Sequence, residues 1–115
     1  MSKYALYAFN GEPMCFMHVM LYALDFHARG EEVKIVMEGS ATRLIGELAD
    51  PAVPFAALYR EIREKSLIGA VCQACSNKMG TLDAAREQGL NIDGSLKGHP
   101  SMAADLQAGY QVFTF

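Results

Sequence analysis

The 115-residue sequence lacks tryptophan, has only three cysteines and contains no long uninterrupted apolar run. Its longest apolar stretch, residues 14–24, is broken by His18 and is shorter than the roughly 20 residues that cross a bilayer. The N-terminus has none of the charged, apolar and small-residue regions of a secretory signal. An odd number of cysteines does not fit the disulfide framework of a small secreted protein. We therefore expect a cytoplasmic protein with reduced thiols and no membrane partner.

Positive charge is also sparse and scattered. Lysine and arginine number 10 against 13 acidic residues, and they form no basic patch of the kind that binds nucleic acid. Neither a GxGxxG nor a Walker pattern is present, so a nucleotide-binding enzyme has no support. The composition, 51% hydrophobic and 20% charged, is that of a globular chain able to form one core. A single domain over residues 1–115 is expected.

Short apolar runs alternate with helical patterns along the chain. Strands are predicted at residues 4–9, 33–37, 67–71 and 110–115. Helices are predicted at residues 13–29, 41–49, 55–65, 76–88 and 101–108, with a polar loop at residues 91–100. The order β-α-β-α-α-β-α-α-β predicts an α/β domain of three layers. Its mostly parallel sheet has helices on both faces, in a flavodoxin-like alternation.

The first two helices carry signals at their ends. Pro13 opens the first helix, where a missing N–H costs nothing, and Gly30 ends it. Apolar residues form two stripes on this helix, one to face the sheet and one to face a partner subunit, so a homo-oligomer is expected. Ser40 is placed to cap the second helix.

Residues whose side chains could bind a ligand or take part in a reaction follow the predicted strands. In a parallel α/β sheet, ligands bind beyond the carboxyl ends of the strands, so residues there are candidates for a site. The binding residues predicted on this basis are Asn10, Gly11, Cys15, Glu38 and Gly39. The third strand is followed by the Cys72-Gln73-Ala74-Cys75 turn, which places cysteines behind two different strands.

The two cysteines of that turn, Cys72 and Cys75, are the predicted catalytic residues, with Cys75 secondary. A thiol at the start of a helix meets unpaired N–H donors and the positive end of the helix dipole, which should lower its pKa. The alternative is that both are small buried residues filling a tight turn. The motif differs from that of thioredoxins, because no tryptophan flanks it.

Zinc is a further possibility for the same turn. A structural zinc site needs four ligands, and the turn supplies two. Cys15 and His18 are candidates for the others if separate loops converge. His18 lies among apolar residues and is more typical of a core or interface histidine, whereas His99 is more typical of a capping or loop residue that could approach the rim of the sheet. No metal or cofactor is predicted for the main function.

The segment Gly-Ala-Val-Cys-Gln-Ala-Cys-Ser-Asn-Lys-Met-Gly at residues 69–80 resembles the cysteine region of the DsrE/DsrF-like proteins, which include sulfur-relay subunits. Residues 4–9 and 103–115 are also similar. The resemblance implies a YchN-like α/β fold, assembly into dimers, trimers or hexamers, and a persulfide carried on Cys72. Cys75 departs from the family pattern, in which a small apolar residue is more usual.

The sequence therefore leaves three alternative functions. The leading one is sulfur handling, in which Cys72 accepts sulfane sulfur from a donor protein and passes it to an acceptor, and Cys75 resolves the persulfide. The second is a non-catalytic oligomeric binding or assembly module of the same fold. The third is a metal-binding domain.

Overall fold

Five parallel strands form the sheet in the computed structural model of this protein, which describes residues 2–115. The strands are β1 (Lys3–Ala8), β2 (Glu32–Met37), β3 (Ile68–Cys72), β4 (Ile92–Asp93) and β5 (Tyr110–Thr114). Their order across the sheet is β4-β3-β2-β1-β5, and all neighbouring pairs run parallel. The prediction of an α/β fold with a mostly parallel sheet is confirmed.

The connections between the strands are mostly helical. The helices are α1 (Pro13–Ala28), a 3-10 helix (Gly39–Arg43), α2 (Leu44–Glu47), α3 (Ala56–Glu64), α4 (Gln73–Lys78), α5 (Leu82–Glu87) and α6 (Met102–Gln107). In the part of the chain that the structure describes, no helix combines the length and apolar character needed to span a bilayer.

The strand order explains why helices cover both faces. β1 to β4 are neighbours in chain order, so right-handed crossovers place their connecting helices on one face. The larger core cluster lies there, between the sheet and helices α1, α2, α3 and α5. The chain then returns past β1 to β5, which brings α6 onto the other face. A smaller cluster lies on that face, centred on four sheet residues: Ala5, Tyr7, Val36 and Ala70.

The prediction of a polar loop at residues 91–100 is wrong for its first part. Ile92 and Asp93 form β4, a short strand at the edge of the sheet that was not predicted from the sequence, and they pair with Val71 and Cys72 of β3. Two residues are too few to produce an alternating apolar pattern, so nothing in the sequence distinguishes this strand from a loop.

Two helix predictions are also wrong in detail. Residues 76–88 form two helices, α4 and α5, because Gly80 adopts a left-handed φ of 76° that ends α4. Ser40 caps no helix: its hydroxyl group bonds across to the β1–α1 loop, accepting from Gly11 N–H and donating to Phe9 C=O. The chain at this point forms a 3-10 helix that continues into α2.

Helix α1 begins at Pro13 as predicted, and the carboxylate of Glu12 caps it by accepting from Cys15 N–H at 2.9 Å. One side of α1 is buried against the sheet through Phe16, Val19, Met20 and Ala23. On the second apolar stripe Leu21 remains 45% exposed.

Helix α6 differs from α1 in how it is held, because none of its residues is fully buried. Its main attachment is Asp105, whose carboxylate accepts from the hydroxyl of Tyr7 in β1 and from Lys34 Nζ in β2 at 2.7 Å. Burial and the neighbouring Asp105 both raise the pKa of Tyr7, so its hydroxyl stays protonated and donates. Polar contacts with β1 and β2 therefore hold α6 on the second face of the sheet.

Replacing Asp105→Ala should destabilise the protein by about 1–3 kcal/mol, because it leaves the Tyr7 hydroxyl and the Lys34 ammonium without their partner. Urea unfolding measures the effect. The control is Leu106→Ala on the same helix, which removes a side chain that is 55% exposed and should cost less than about 0.5 kcal/mol. Equal losses in the two variants would contradict the role given to Asp105.

Candidate functional site

Cys72 is both the last residue of β3 and the residue that caps α4. Strand and helix join here without a loop, and the turn is fixed by Ser76 Oγ, which donates to Cys72 C=O at 2.7 Å. The Cys72 side chain is completely buried, and its Sγ accepts from Cys75 N–H at 3.4 Å. Cys75 lies one turn further along α4, on the same side of the helix, and is partly exposed.

Glu38 follows β2 directly and stands beside β3 because the two strands are neighbours. Its side chain is 11% exposed, which is unusual for a carboxylate. The next residue, Gly39, has a φ of 55°, and a Cβ atom there would lie 2.8 Å from Phe9 C=O. Glycine is therefore required for the tight turn that leaves Glu38 at the rim of the sheet.

His99 comes from residues 94–101, here called the crossover segment, which leads from β4 to α6. Its backbone exchanges two hydrogen bonds with Leu96, at 2.7 and 2.9 Å. The adjacent Gly98 C=O accepts from Ala74 N–H at 2.9 Å, so the crossover segment is docked on the first turn of α4. This docking brings the imidazole over the two cysteines.

Four side chains meet at this point and form what we call the rim cluster: Glu38, Cys72, Cys75 and His99. His99 Nδ1 lies 3.0 Å from Cys72 Sγ, 3.8 Å from Cys75 Sγ and 3.7 Å from Glu38 Oε1. One donor atom from each residue lies within 4.8 Å of the other three. Three separate parts of the chain thus converge on one small volume.

The electrostatics of the rim cluster are unfavourable to negative charge. Burial raises the pKa of Cys72 to about 12, and the hydrogen bond from Cys75 N–H offsets this only in part. Burial also raises the pKa of Glu38, against the opposing effect of His99. The prediction of a lowered pKa for Cys72 is therefore wrong, because the hydrogen bond from Cys75 N–H at the start of α4 lowers the pKa less than the loss of water raises it.

The geometry resembles a ligand set more than a catalytic triad. In a triad the histidine uses one ring nitrogen for the nucleophile and the other for the carboxylate. Here the same atom, Nδ1, faces both sulfurs and the carboxylate. In a tetrahedral zinc site, metal bonds of about 2.0–2.3 Å place neighbouring ligand atoms about 3.3–3.8 Å apart. The three distances from His99 Nδ1 to the other donor atoms, 3.0, 3.7 and 3.8 Å, lie in or near that range.

The other predicted binding residues lie outside the rim cluster and shape the loop before α1. Asn10 Oδ1 accepts from Glu12 N–H at 2.9 Å. Gly11 packs so closely on Ser40 that a Cβ atom would lie 2.4 Å from the Ser40 C=O oxygen. Cys15 is exposed on the first turn of α1. These three residues serve the local backbone or solvent-facing surface.

The four candidate zinc ligands named from the sequence do not come together in the structure. Cys72 and Cys75 lie in the rim cluster, but the other two positions are filled by Glu38 and His99 and not by Cys15 and His18. His18 is exposed, and its Nδ1 contacts Met14 C=O of its own helix at 2.8 Å, so it is not a core histidine, and a place in an interface stays a prediction.

Replacing Glu38→Gln should stabilise the metal-free protein at pH 7, because the amide carries no charge into the buried site. The pKa of Glu38 is raised on folding, so its contribution to stability is fully present below its ordinary pKa and is lost as the pH rises through its pKa in the folded protein. The gain should therefore be small at pH 4 and larger at pH 7, measured by thermal unfolding in chelator.

The matched control for that experiment is Glu47→Gln, since Glu47 is exposed and pairs with Arg43 at 3.0 Å. Its effect should be small, because an exposed ion pair contributes little to stability. A loss of stability in Glu38→Gln at pH 7 would show that the carboxylate is better accommodated than its burial indicates.

The known proteins that this chain resembles are uncharacterised. No family model matches the chain. An uncharacterised protein of Methanocaldococcus jannaschii is 27% identical over 96 residues, covering 84% of this chain and 76% of that protein. An uncharacterised protein of Archaeoglobus fulgidus is 42% identical over 41 residues, which cover 36% of this chain and 67% of that protein. A conserved protein of unknown function from Bacteroides thetaiotaomicron aligns over 96% of this chain and 94% of its own, with a TM-score of 0.63 and 19% identity. That likeness shows the fold alone.

Proposed function

We propose that this protein binds one divalent transition-metal ion in the rim cluster, and that Zn²⁺ is the ion its ligands fit best. The observation that carries the proposal is the convergence of four donor atoms within 4.8 Å of one another. They come from the end of β2, the β3–α4 turn and the crossover segment, which lie far apart in the sequence.

The choice of zinc follows from the types of ligand. Two thiolates, an imidazole and a carboxylate suit Zn²⁺, whereas Mg²⁺ and Ca²⁺ prefer oxygen ligands alone. Four protein ligands fill a tetrahedral shell, which is typical of a structural site and leaves no open position for a substrate. A bound cation would also offset the cost of the buried Glu38 and would hold both thiols as thiolates.

The metal would act by joining parts of the fold that lie far apart in the sequence. Helix α6 buries no residue fully, and its Asp105 accepts from Lys34 Nζ of β2. A metal held by His99 would fix the crossover segment that leads into α6, tying it to β2 and α4. Free thiols of this kind are kept reduced in the cytoplasm, which is the location we propose.

Sulfur handling is the second candidate, and the partial exposure of Cys75 favours it. The Cys75 thiolate would attack the outer sulfur of a donor persulfide, and the donor would leave as a thiolate. Cys72 would then attack the Cys75 sulfur that bears the transferred sulfur, forming a disulfide and releasing hydrosulfide. This differs from the sequence-based hypothesis in one respect: the thiol that meets the donor is Cys75, because Cys72 is completely buried.

Assembly into a homo-oligomer is proposed alongside either function. Its support is the exposure of large apolar side chains on α1 and at the end of the chain: Leu21, Tyr22, Phe113 and Phe115. Contiguous exposed apolar surface is typical of protein interfaces.

The metal proposal predicts that reduced, untagged protein binds about one equivalent of Zn²⁺. The His99→Ala variant should bind at least about 10–100-fold more weakly, which is the loss that follows removal of even an outer-shell partner. Competition with a chromophoric chelator measures the affinity, and Co²⁺ substitution should give sulfur-to-metal charge-transfer bands. The control is His27→Ala, at an exposed position in the last turn of α1. Equal affinity in both variants would exclude His99 as a ligand.

The sulfur proposal predicts that metal-free protein incubated with a small-molecule persulfide gains the mass of one sulfur atom or loses two hydrogens to a disulfide. Both products should disappear in Cys75→Ser, and the disulfide should disappear in Cys72→Ser. Intact-mass spectrometry separates the products, with Cys15→Ser as the control. Sulfur addition that persists in both variants but disappears with Cys15→Ser would place the reaction at the exposed thiol of α1.

A further inference from the structure

We propose that Cys72 and Cys75 form a disulfide on reaction with a peroxide, and that this oxidation expels the metal from the rim cluster. The inference rests on the proposed metal site and concerns its regulation. The observation that supports it is the placement of the two thiols. They lie three residues apart, differ in exposure and belong to the same ligand set.

The backbone already holds the two cysteines at a distance suited to a disulfide. Residues three apart at the start of an α-helix have Cα atoms about 5 Å apart, from a rise of about 1.5 Å per residue and a radius of about 2.3 Å. Disulfides span Cα separations of about 4.4–6.8 Å. The sulfurs lie within 4.8 Å of each other and must approach to about 2.05 Å, a shift that side-chain rotation can supply.

Unequal exposure assigns the order of events. Cys75 is partly exposed, so it is the thiolate that meets a peroxide from solution. Its sulfur attacks one peroxide oxygen, the O–O bond breaks, and hydroxide leaves as Cys75 becomes a sulfenic acid. The buried Cys72 thiolate then attacks the Cys75 sulfur and displaces a second hydroxide. The two thiolates lose two electrons and the peroxide gains them, with both hydroxides protonated to water.

Disulfide formation is incompatible with metal binding at this site. The thiolate is the form of cysteine that binds metals, and the disulfide has no thiolate left. Only Glu38 and His99 would remain as ligands, half of the four that a structural zinc site requires. The metal and the disulfide are therefore alternative states of the same two sulfurs. Loss of the metal would also free His99 and the crossover segment.

The test uses Zn²⁺-loaded wild-type protein treated with hydrogen peroxide, with released Zn²⁺ measured by a chromophoric chelator and the cysteines mapped by peptide mass spectrometry. Bound metal should fall from about one equivalent to near none as a Cys72–Cys75 disulfide forms. Dithiothreitol followed by fresh Zn²⁺ should restore the loaded protein. The Cys15→Ser variant, altered at a thiol outside the rim cluster, should behave as wild type.

Three results would overturn the inference. In the first, Zn²⁺ stays bound while peroxide is consumed. In the second, Zn²⁺ is released, but the oxidation product is a sulfinic acid or a disulfide to Cys15 and not the Cys72–Cys75 disulfide. In both cases the loaded protein existed, so the proposed metal site stands and only its regulation fails. The third is reduced protein that binds no Zn²⁺ before peroxide is added, which overturns the metal site and this inference together.

Discussion

The docking of the crossover segment on α4 is the contact on which the candidate site depends. The Ala74 N–H donates to Gly98 C=O at 2.9 Å, and this bond sets the height of the adjacent His99 above the two sulfurs. Glu38 and Cys72 are already neighbours because β2 and β3 pair. Without the docked segment the rim would present two thiols and one carboxylate. With it, a fourth donor completes a set whose atoms all lie within 4.8 Å of one another.

The same arrangement makes the site costly to fold without a cation. Burial raises the pKa of Glu38, which means that its charged form is less stable here than in water. Burial also raises the pKa of Cys72 to about 12, so that side chain stays a neutral thiol at neutral pH and adds no such cost. A folding core gains nothing from placing these groups together, since apolar residues of similar size would pack there without that penalty. A buried carboxylate with a raised pKa is typical of functional sites, where a ligand of opposite charge offsets the cost.

The sequence was sufficient for four of the five strands and for three of the four residues of the rim cluster. Apolar runs mark β1, β2, β3 and β5, and parallel strands end at one edge, so Glu38, Cys72 and Cys75 had to lie near that edge. His99 was not predictable as a ligand, because it is 27 residues beyond Cys72 in a segment without periodic apolar residues. Its position depends on the two-residue strand β4, which turns the chain back over the sheet and carries no pattern of its own.

Exposure decides between the two chemistries that the rim cluster can support. A sulfur carrier must present its persulfide to a second protein, and the Cys72 side chain is completely buried. A metal ligand has no such requirement, and a dry position favours it, since electrostatic attraction to the ion is stronger there. The burial that raises the pKa of Cys72 in the metal-free protein therefore favours it as a ligand and disfavours it as a carrier. Cys75, the cysteine with the weaker case in the sequence, is the thiol of the rim cluster that a reagent in solution can reach.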